Sequence, residues 1–325
     1  MPSTDQPPRQ PIHLHLNPTQ TRQKNIRNQS NTHPNTLPRP TYRHTPPTTN
    51  DTLTDVSRTI VAVNAHPDDE ALLMAGTLAK AAAAGDRVIL VVATDGELGE
   101  ADPRYHQNGN LGTTRINELH LSAAAIGAHN VIRLGYADSG SGPTIPPNPP
   151  HTTRFARTNT HHAATQLANI LRNEHADLVI GYDKAGGYGH RDHIKLHEVV
   201  RAASATTGTR LLEATIPREL ITQALRIATR LYPFPPEFDR STFETAYTPR
   251  NLITHRISIG QYSTAKRNAL RAHTSQTTGR TTRTLNVLSN LPSPLFNLIL
   301  GREWFTGPTP RTHKHPAHNI WETTP

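Results

Sequence analysis

The chain has 325 residues, with 34 Lys and Arg against 25 Asp and Glu, 28 prolines, no cysteine and a hydrophobic fraction of 34%. Without cysteine there are no disulfides, zinc fingers, iron–sulfur clusters or thiol nucleophiles, so any metal must sit on His, Asp or Glu. An apolar share this low beside so many prolines implies that part of the chain stays outside any core.

No apolar run approaches the roughly 18 residues of a membrane-spanning helix. The opening MPSTDQPPRQ lacks the apolar segment of a signal peptide, so a cytoplasmic location is the expectation. The formal charge of +9 would tolerate an anionic partner. Its basic residues are scattered among Thr, Pro and His without interleaved aromatics, however, and no nucleic-acid partner is expected.

Residues 1–55 are Thr, Pro, Asn, Gln and Arg with isolated leucines and no apolar period, which predicts a disordered tail. From residue 56 the pattern changes. Thr59 to Asn64 is a short β-branched strand, and Leu72 to Leu78 repeat at helical spacing until Gly85. A second strand is expected at Arg87 to Ala93, a helix at Thr114 to Ile126 and a third strand at Val131 to Leu134. A Pro/Gly/Ser-rich loop covers Ser139 to Arg157. Ala163, Leu167, Ile170 and Leu171 then mark a helix face, and Asp177 to Tyr182 a fourth strand.

Strands alternating with helices at this spacing predict an α/β fold, a Rossmann-like three-layer α/β/α arrangement around a mostly parallel sheet. Further on, an apolar stretch at Leu211 to Ile216, a helix at Glu219 to Leu231, a strand at Leu252 to Ile259 and a helix at Ser263 to His273 predict an extension on one sheet edge. Leu295 to Leu300 predicts a helix covering the core. Residues 306–325 read as a second loose end, leaving 56–305 as the folded domain.

The first strand runs directly into His66-Pro67-Asp68-Asp69-Glu70. Ligands of a parallel sheet sit where strand ends meet helix starts. Such a string arises by chance on the order of 10⁻⁴ per sequence of this composition. Its acids also suit a helix N-terminus, so capping alone is an alternative reading. The fourth strand runs into Asp183 and then Gly186-Gly187-Tyr188-Gly189-His190-Arg191-Asp192-His193, a second cluster of metal-type residues behind a glycine-rich turn. Two imidazoles and one carboxylate drawn from these clusters would hold a divalent ion with open positions, as a catalytic site requires. Zn²⁺ is the first choice for such N/O ligands, with iron or another divalent ion also admitted. The ion would activate water and polarise a carbonyl, and a spare carboxylate and His would move protons, a set of parts suited to amide hydrolysis.

The two strings together resemble the LmbE/PIG-L superfamily of metal-dependent N-acetylglucosaminide deacetylases. By motif the resemblance covers Thr59 to His197, and more loosely Ala269-Leu270-Arg271-Ala272-His273, which is similar to a helix of the mycothiol-pathway members. It implies an LmbE-like fold, His66, Asp69 and His193 as zinc ligands, and Asp68 as general base. It further implies His190 as general acid, Asp192 as the group that orients that imidazole, and Tyr188 as a holder of the carbonyl oxygen. Arg115 and Asp138 resemble a pair that binds substrate hydroxyls, and Glu97 after the second strand is a further candidate facing the pocket. Without the resemblance, Arg115 reads as a surface charge, Asp138 as an Asx-turn residue and Glu97 as a loop acid.

The chain departs from the family at Arg191, where Pro is frequent, and in the proline-rich loop 139–157. His106, His120, His129 and His175 lack a carboxylate-bearing partner motif and are not expected to be ligands. The implied activity is removal of an acetyl group from an N-acetylated amino sugar or glycoside. Alternatives are an amidase acting on thiol-conjugated pseudodisaccharides, or a sugar-binding module without catalysis.

Overall fold

The computed structural model describes residues 57–106, 110–231, 242–277, 283–308 and 315–322; the tail expected over 1–55 lies outside the described residues. The order of elements follows the expected alternation. β1 (Thr59–Asn64) leads to α1 (Asp69–Leu73) and α2 (Ala75–Ala83), then β2 (Arg87–Thr94), α3 (Leu111–Ile126) and β3 (Asn130–Tyr136). α4 (Thr160–Asn173), β4 (Leu178–Tyr182), α5 (Arg191–Thr207) and β5 (Arg210–Thr215) follow. The last part holds α6 (Arg218–Leu231), β6 (His255–Ser258), α7 (Ser263–Ala272), α8 (Ser293–Leu300) and β7 (Arg302–Thr306).

The sheet has seven strands in the order β3-β2-β1-β4-β5-β7-β6. The first five are parallel, and β7 pairs antiparallel with both β5 and β6. Every residue of β1 and β4 is buried, as expected of central strands covered on both faces by helices. α1, α2, α3 and α7 pack together on one side, and α4 packs on α5 on the other. The expected edge extension is therefore present. The strand that joins it to the parallel sheet, β7, was not foreseen, because Arg302-Glu303-Trp304-Phe305-Thr306 mixes charges with aromatics and shows no long apolar run.

Three expectations are corrected. The helix expected from Leu72 breaks at Met74, whose φ of −143° is not helical. The break is held from afar: the Glu303 carboxylate accepts the N–H groups of Gly76 and Thr77 at 2.9 and 2.7 Å, while the Lys266 ammonium donates to the Leu72 carbonyl at 2.7 Å and to Glu303 at 2.6 Å. One charged pair thus caps the end of α1 and the start of α2. Gly76 is required here because a Cβ would collide with the Ile259 side chain.

The strand expected at Leu252 to Ile259 is only four residues long, since Pro249 leads into a 3₁₀ turn over Arg250–Leu252 first. The loose end expected after Phe305 is, over residues 315–322, packed on the domain. The Arg256 amide donates to the Ala317 carbonyl, Ile320 is buried, and the Trp321 indole N–H donates to Asp86. The helix at Leu295 to Leu300 covers the core chiefly through the buried Phe296, with Leu300 partly buried beside it, and Leu298 is 72% exposed.

Candidate active site

The chain winds outward from β1 to β2 and β3, then crosses back to β4 on the other side of β1. Beside this reversal of strand order the loops leaving adjacent parallel strands part, and a crevice forms at their carboxyl ends. The loop after β1 carries His66 to Glu70, and the loop after β4 carries Asp183 to His193. Two segments more than a hundred residues apart in sequence are therefore brought to one place by topology.

There the His66 Nδ1 lies 3.3 Å from the His193 Nε2, the Asp69 carboxylate lies 3.6 Å from His66 Nδ1, and it lies 3.4 Å from His193 Nε2. Ligand bonds of 2.0–2.1 Å in tetrahedral geometry separate neighbouring donors by roughly 3.3–3.4 Å. The His66–His193 spacing and the N/O chemistry of this donor set fit a divalent cation such as zinc, with Asp69 facing each imidazole through a different oxygen. His66 faces carboxylates through its other nitrogen as well: Nε2 is 3.4 Å from Asp138 Oδ1 and 3.3 Å from Asp192 Oδ2. An imidazole with one nitrogen free for a metal and the other donating to a carboxylate is fixed in tautomer and orientation.

Charge in this crevice is concentrated and buried. Burial opposes protonation of His66, yet hydrogen bonds to Asp138, Asp192 and Asp69 raise its pKa well above the usual histidine value. Burial would raise Asp69, but His193 and His66 outweigh it and hold that carboxyl far down. Asp68 goes the other way, to about 6, because burial and the Asp69 charge outweigh the pull of Arg115. The Asp192 Oδ1 is buried without a hydrogen-bond partner. An anion-rich site with an orphaned carboxylate oxygen is poised to accept a cation.

Asp68 has a φ of 119°, a region that L-residues rarely occupy and that costs on the order of 1–3 kcal/mol. Its surroundings fix it there. The Arg115 guanidinium donates to the Pro67 carbonyl at 2.6 Å and to the Gly96 carbonyl at 2.9 Å, and lies 3.2 Å from Asp68 Oδ1. Glycine is needed at Gly96 and Gly99, where a Cβ would strike this guanidinium. The Asp68 N–H donates to Glu70 Oε2 at 3.0 Å.

The other expected residues lie in or beside the same crevice. Arg115 and Asp138, expected to bind substrate hydroxyls, are 3% and 2% exposed and face Asp68 and His66. The remaining oxygen of Asp138 accepts the Leu98 amide, and Oδ1 also takes that of Gly140. Glu97 accepts the Asp138 amide and pairs with Arg154 at 2.5 Å, so it braces the loop after β3; burial and Asp95 push its pKa up to about 7.

The Asp192 carboxylate meets His66 and the Ser139 amide rather than His190. His190 is oriented instead by the Asp192 backbone N–H, which donates to Nδ1 at 3.2 Å. Burial, His66 and His193 hold His190 down to about 4, against the pull of Asp192 and Asp138. Tyr188 reaches the mouth of the crevice at 45% exposure, its ring edge-on to His193 at 5.1 Å. Arg191 donates to the Gly142 carbonyl and so ties the proline-rich loop to the start of α5.

Asp183 shapes the glycine-rich turn, accepting the Gly187 amide and the Thr215 and Thr248 hydroxyls. His106, His120, His129 and His175 are exposed and stand apart from the cluster.

Sequence reasoning missed Tyr182. Its ring stacks on His193 at 4.4 Å and 5°, and its hydroxyl accepts the Ala65 amide and is hydrogen-bonded to Asp69. The available signal was a lone polar aromatic closing a buried strand directly before Asp183.

A family model described as PIG-L, GlcNAc-PI de-N-acetylase, matches residues 61–204. The 1D-myo-inositol 2-acetamido-2-deoxy-alpha-D-glucopyranoside deacetylase of Thermobifida fusca is 34% identical over 281 residues, covering 78% of this chain and 95% of that protein. The protein of the same description from Acidothermus cellulolyticus is 38% identical over 237 residues, covering 67% and 80%.

Among solved structures, the N,N'-diacetylchitobiose deacetylase of Pyrococcus horikoshii aligns with a TM-score of 0.50 at 20% identity over 78% of this chain and 83% of its own. The 4-carboxy-2-hydroxymuconate hydratase GalB of Pseudomonas putida KT2440 aligns with a TM-score of 0.51 at 15% identity over 80% and 100%. A deacetylase and a hydratase sharing this architecture show that the fold alone does not select the reaction. Sequence identity across nearly the full length of the Thermobifida relative, together with the matched motifs, does decide the family: the chain belongs to the PIG-L/LmbE family of GlcNAc-type de-N-acetylases.

Proposed function

We propose that this protein is a metal-dependent hydrolase that removes the acetyl group from a 2-acetamido-2-deoxyglucoside, releasing acetate and the free amine. An inositol-linked sugar, as named for the curated relatives, is the first substrate to test. The observation that carries the reading is the meeting of His66, Asp69 and His193 at donor separations that suit one small cation.

Those three residues would hold the ion, zinc in this reading. Once bound, it would supply Lewis acidity to the acetamide carbonyl and lower the pKa of the attacking water. Asp68, with a carboxyl raised to about 6 and its backbone fixed beside Arg115, accepts a proton from that water. Tyr188 stands half-exposed at the mouth of the crevice, and the Asp69 and Asp68 carboxylates near it oppose its ionisation, so its O–H remains a donor for the developing oxyanion.

A carbon–oxygen bond forms, the carbon–nitrogen bond breaks, and the departing nitrogen takes up a proton. That proton is the one Asp68 took from the water, and His190, held neutral with Nδ1 accepting the Asp192 amide, offers its Nε2–H as a hydrogen-bond donor to the departing group. Asp138 and Asp192 keep His66 aligned, and the loop braced by Arg154, Glu97 and Arg191 forms the wall that meets the rest of the sugar.

The test is metal analysis of the purified protein followed by an acetate-release screen over inositol-linked, simple and lipid-linked acetamido sugars. About one divalent ion per chain and release from at least one class is expected. Asp68→Ala should retain the ion and lose about 10²–10⁴-fold in kcat. Stoichiometric sugar binding without acetate release, or cleavage confined to thiol conjugates, would replace this reading with one of the alternatives.

A further inference from the structure

Asp68 is held in its unfavourable backbone conformation by a chain of buried contacts that reaches far outside the motif. Its N–H is received by Glu70 Oε2. The other oxygen of that carboxylate, Oε1, accepts the Ser122 hydroxyl of α3 at 2.6 Å and the His273 Nε2 at 2.7 Å. His273 stands 203 residues away in sequence, at the C-cap of α7. Glu70, Ser122 and His273 are each 0% exposed, so no solvent can substitute for a lost partner.

The segment after His273 is locked in turn. Glu118 of α3 accepts the Thr274 hydroxyl, the Ser275 amide and the Ser275 hydroxyl, all within 2.8 Å. The protein keeps His273 in this place although its Nδ1 is buried with no hydrogen-bond partner. A buried ring with one unmatched nitrogen is a liability for stability, and the contact that its other nitrogen makes is the evident return.

We infer that His273 is a positioning residue for the reaction: through Glu70 it fixes the backbone of Asp68 at φ 119° and so aims that carboxylate into the crevice. The inference rests on the proposed role of Asp68. With His273 removed, Glu70 loses its strongest fixed donor and turns within its pocket. The Asp68 N–H is then released and the residue relaxes toward ordinary φ, carrying its carboxylate away from Arg115. The three proposed metal-holding side chains make no hydrogen bond to Glu70 or His273, and Asp69 stays anchored by the His66 amide, so cation binding is expected to change far less than turnover.

The test compares wild type, His273→Ala and His273→Gln in the full chain, with folding checked by thermal melting. Gln can donate to Glu70 from about the same position. The expected result for His273→Ala is a kcat lower by about 10- to 100-fold, the scale of a catalytic group displaced by about an ångström, with KM and zinc affinity by chelator competition unchanged. Amide hydrogen exchange over residues 66–72 should quicken. His273→Gln should recover most of both kcat and protection.

A folded His273→Ala with full kcat and unchanged exchange would overturn the inference. So would a joint fall of kcat, zinc affinity and melting temperature that Gln does not repair. If the wild-type chain itself releases no acetate, the deacetylase reading falls, while quickened exchange with retained zinc affinity would still support the hold on Asp68.

Discussion

Two buried charged clusters lie at opposite ends of α1, and they are built on opposite plans. At its C-terminal end, Lys266 and Glu303 are each 1% or 2% exposed, and every strong contact is complementary: the acid receives one ammonium and two helix N–H groups, the ammonium one acid and one helix carbonyl. At its N-terminal end, Asp68, Asp69, Asp138 and Asp192 crowd three imidazoles, one residue sits at unfavourable φ, and a carboxylate oxygen goes unpaired. The first cluster satisfies its charges within the fold. The second leaves them to be satisfied by something that binds. Charge serves stability at one end and reactivity at the other, separated by a single helix of five residues.

The contrast is sharpest under substitution. Lys266→Met would strand a buried carboxylate and is expected to destabilise the protein by about 3–5 kcal/mol, while kcat measured well below the lowered melting temperature stays near wild type. Urea unfolding beside acetate release reads both; a stability loss below about 1 kcal/mol would show that the two clusters are not different in kind.

Zinc should act in reverse, raising the melting temperature through the second cluster alone. At a hundredfold excess over its dissociation constant the stabilisation is about 2.7 kcal/mol, and it should survive Lys266→Met but vanish in Asp69→Asn.

The smallest effect concerns an ion pair away from either cluster. Burial opposes the charge on His197, but hydrogen bonds to Glu213 and to the Tyr182 carbonyl raise its pKa above the usual histidine value. A raised folded-state pKa gives stability that is complete below the unfolded value near 6.5 and fades as pH climbs through the folded one. Wild type should therefore lose up to about 1 kcal/mol relative to His197→Gln between pH 6 and 8.5, since Glu213 also pairs with the part-exposed Arg201.

The sequence was most legible where structure is local. Thr59–Asn64 was bounded to the residue because β-branched runs flanked by polar loops carry their own signal. Both candidate strings lie at strand ends, where parallel sheets place ligands, and their convergence follows from topology. Legibility failed wherever the deciding partner is distant. Nothing near Met74 announces a broken helix, because the capping charges arrive from Lys266 and Glu303. Nothing near Arg115 or Asp138 shows that they meet Asp68 and His66. The resemblance implies that Asp192 orients His190; here the helix start points its carboxylate at His66 and its backbone amide holds the imidazole.

The insertion of β7 between β5 and β6 bears on how the molecule comes into being. α1 and the residues that flank it are translated early, yet the carboxylate that caps α2 belongs to Glu303 and emerges from the ribosome last of all the sheet strands. A nascent chain can form β1 to β5 and still lack the carboxylate that caps the start of α2 and pairs with Lys266, whose ammonium meets the last turn of the helix that carries Asp69. Chains that stop before Arg302 would lack that cap and the antiparallel partner of β5, so this end of α1 is completed only when the last strand is made.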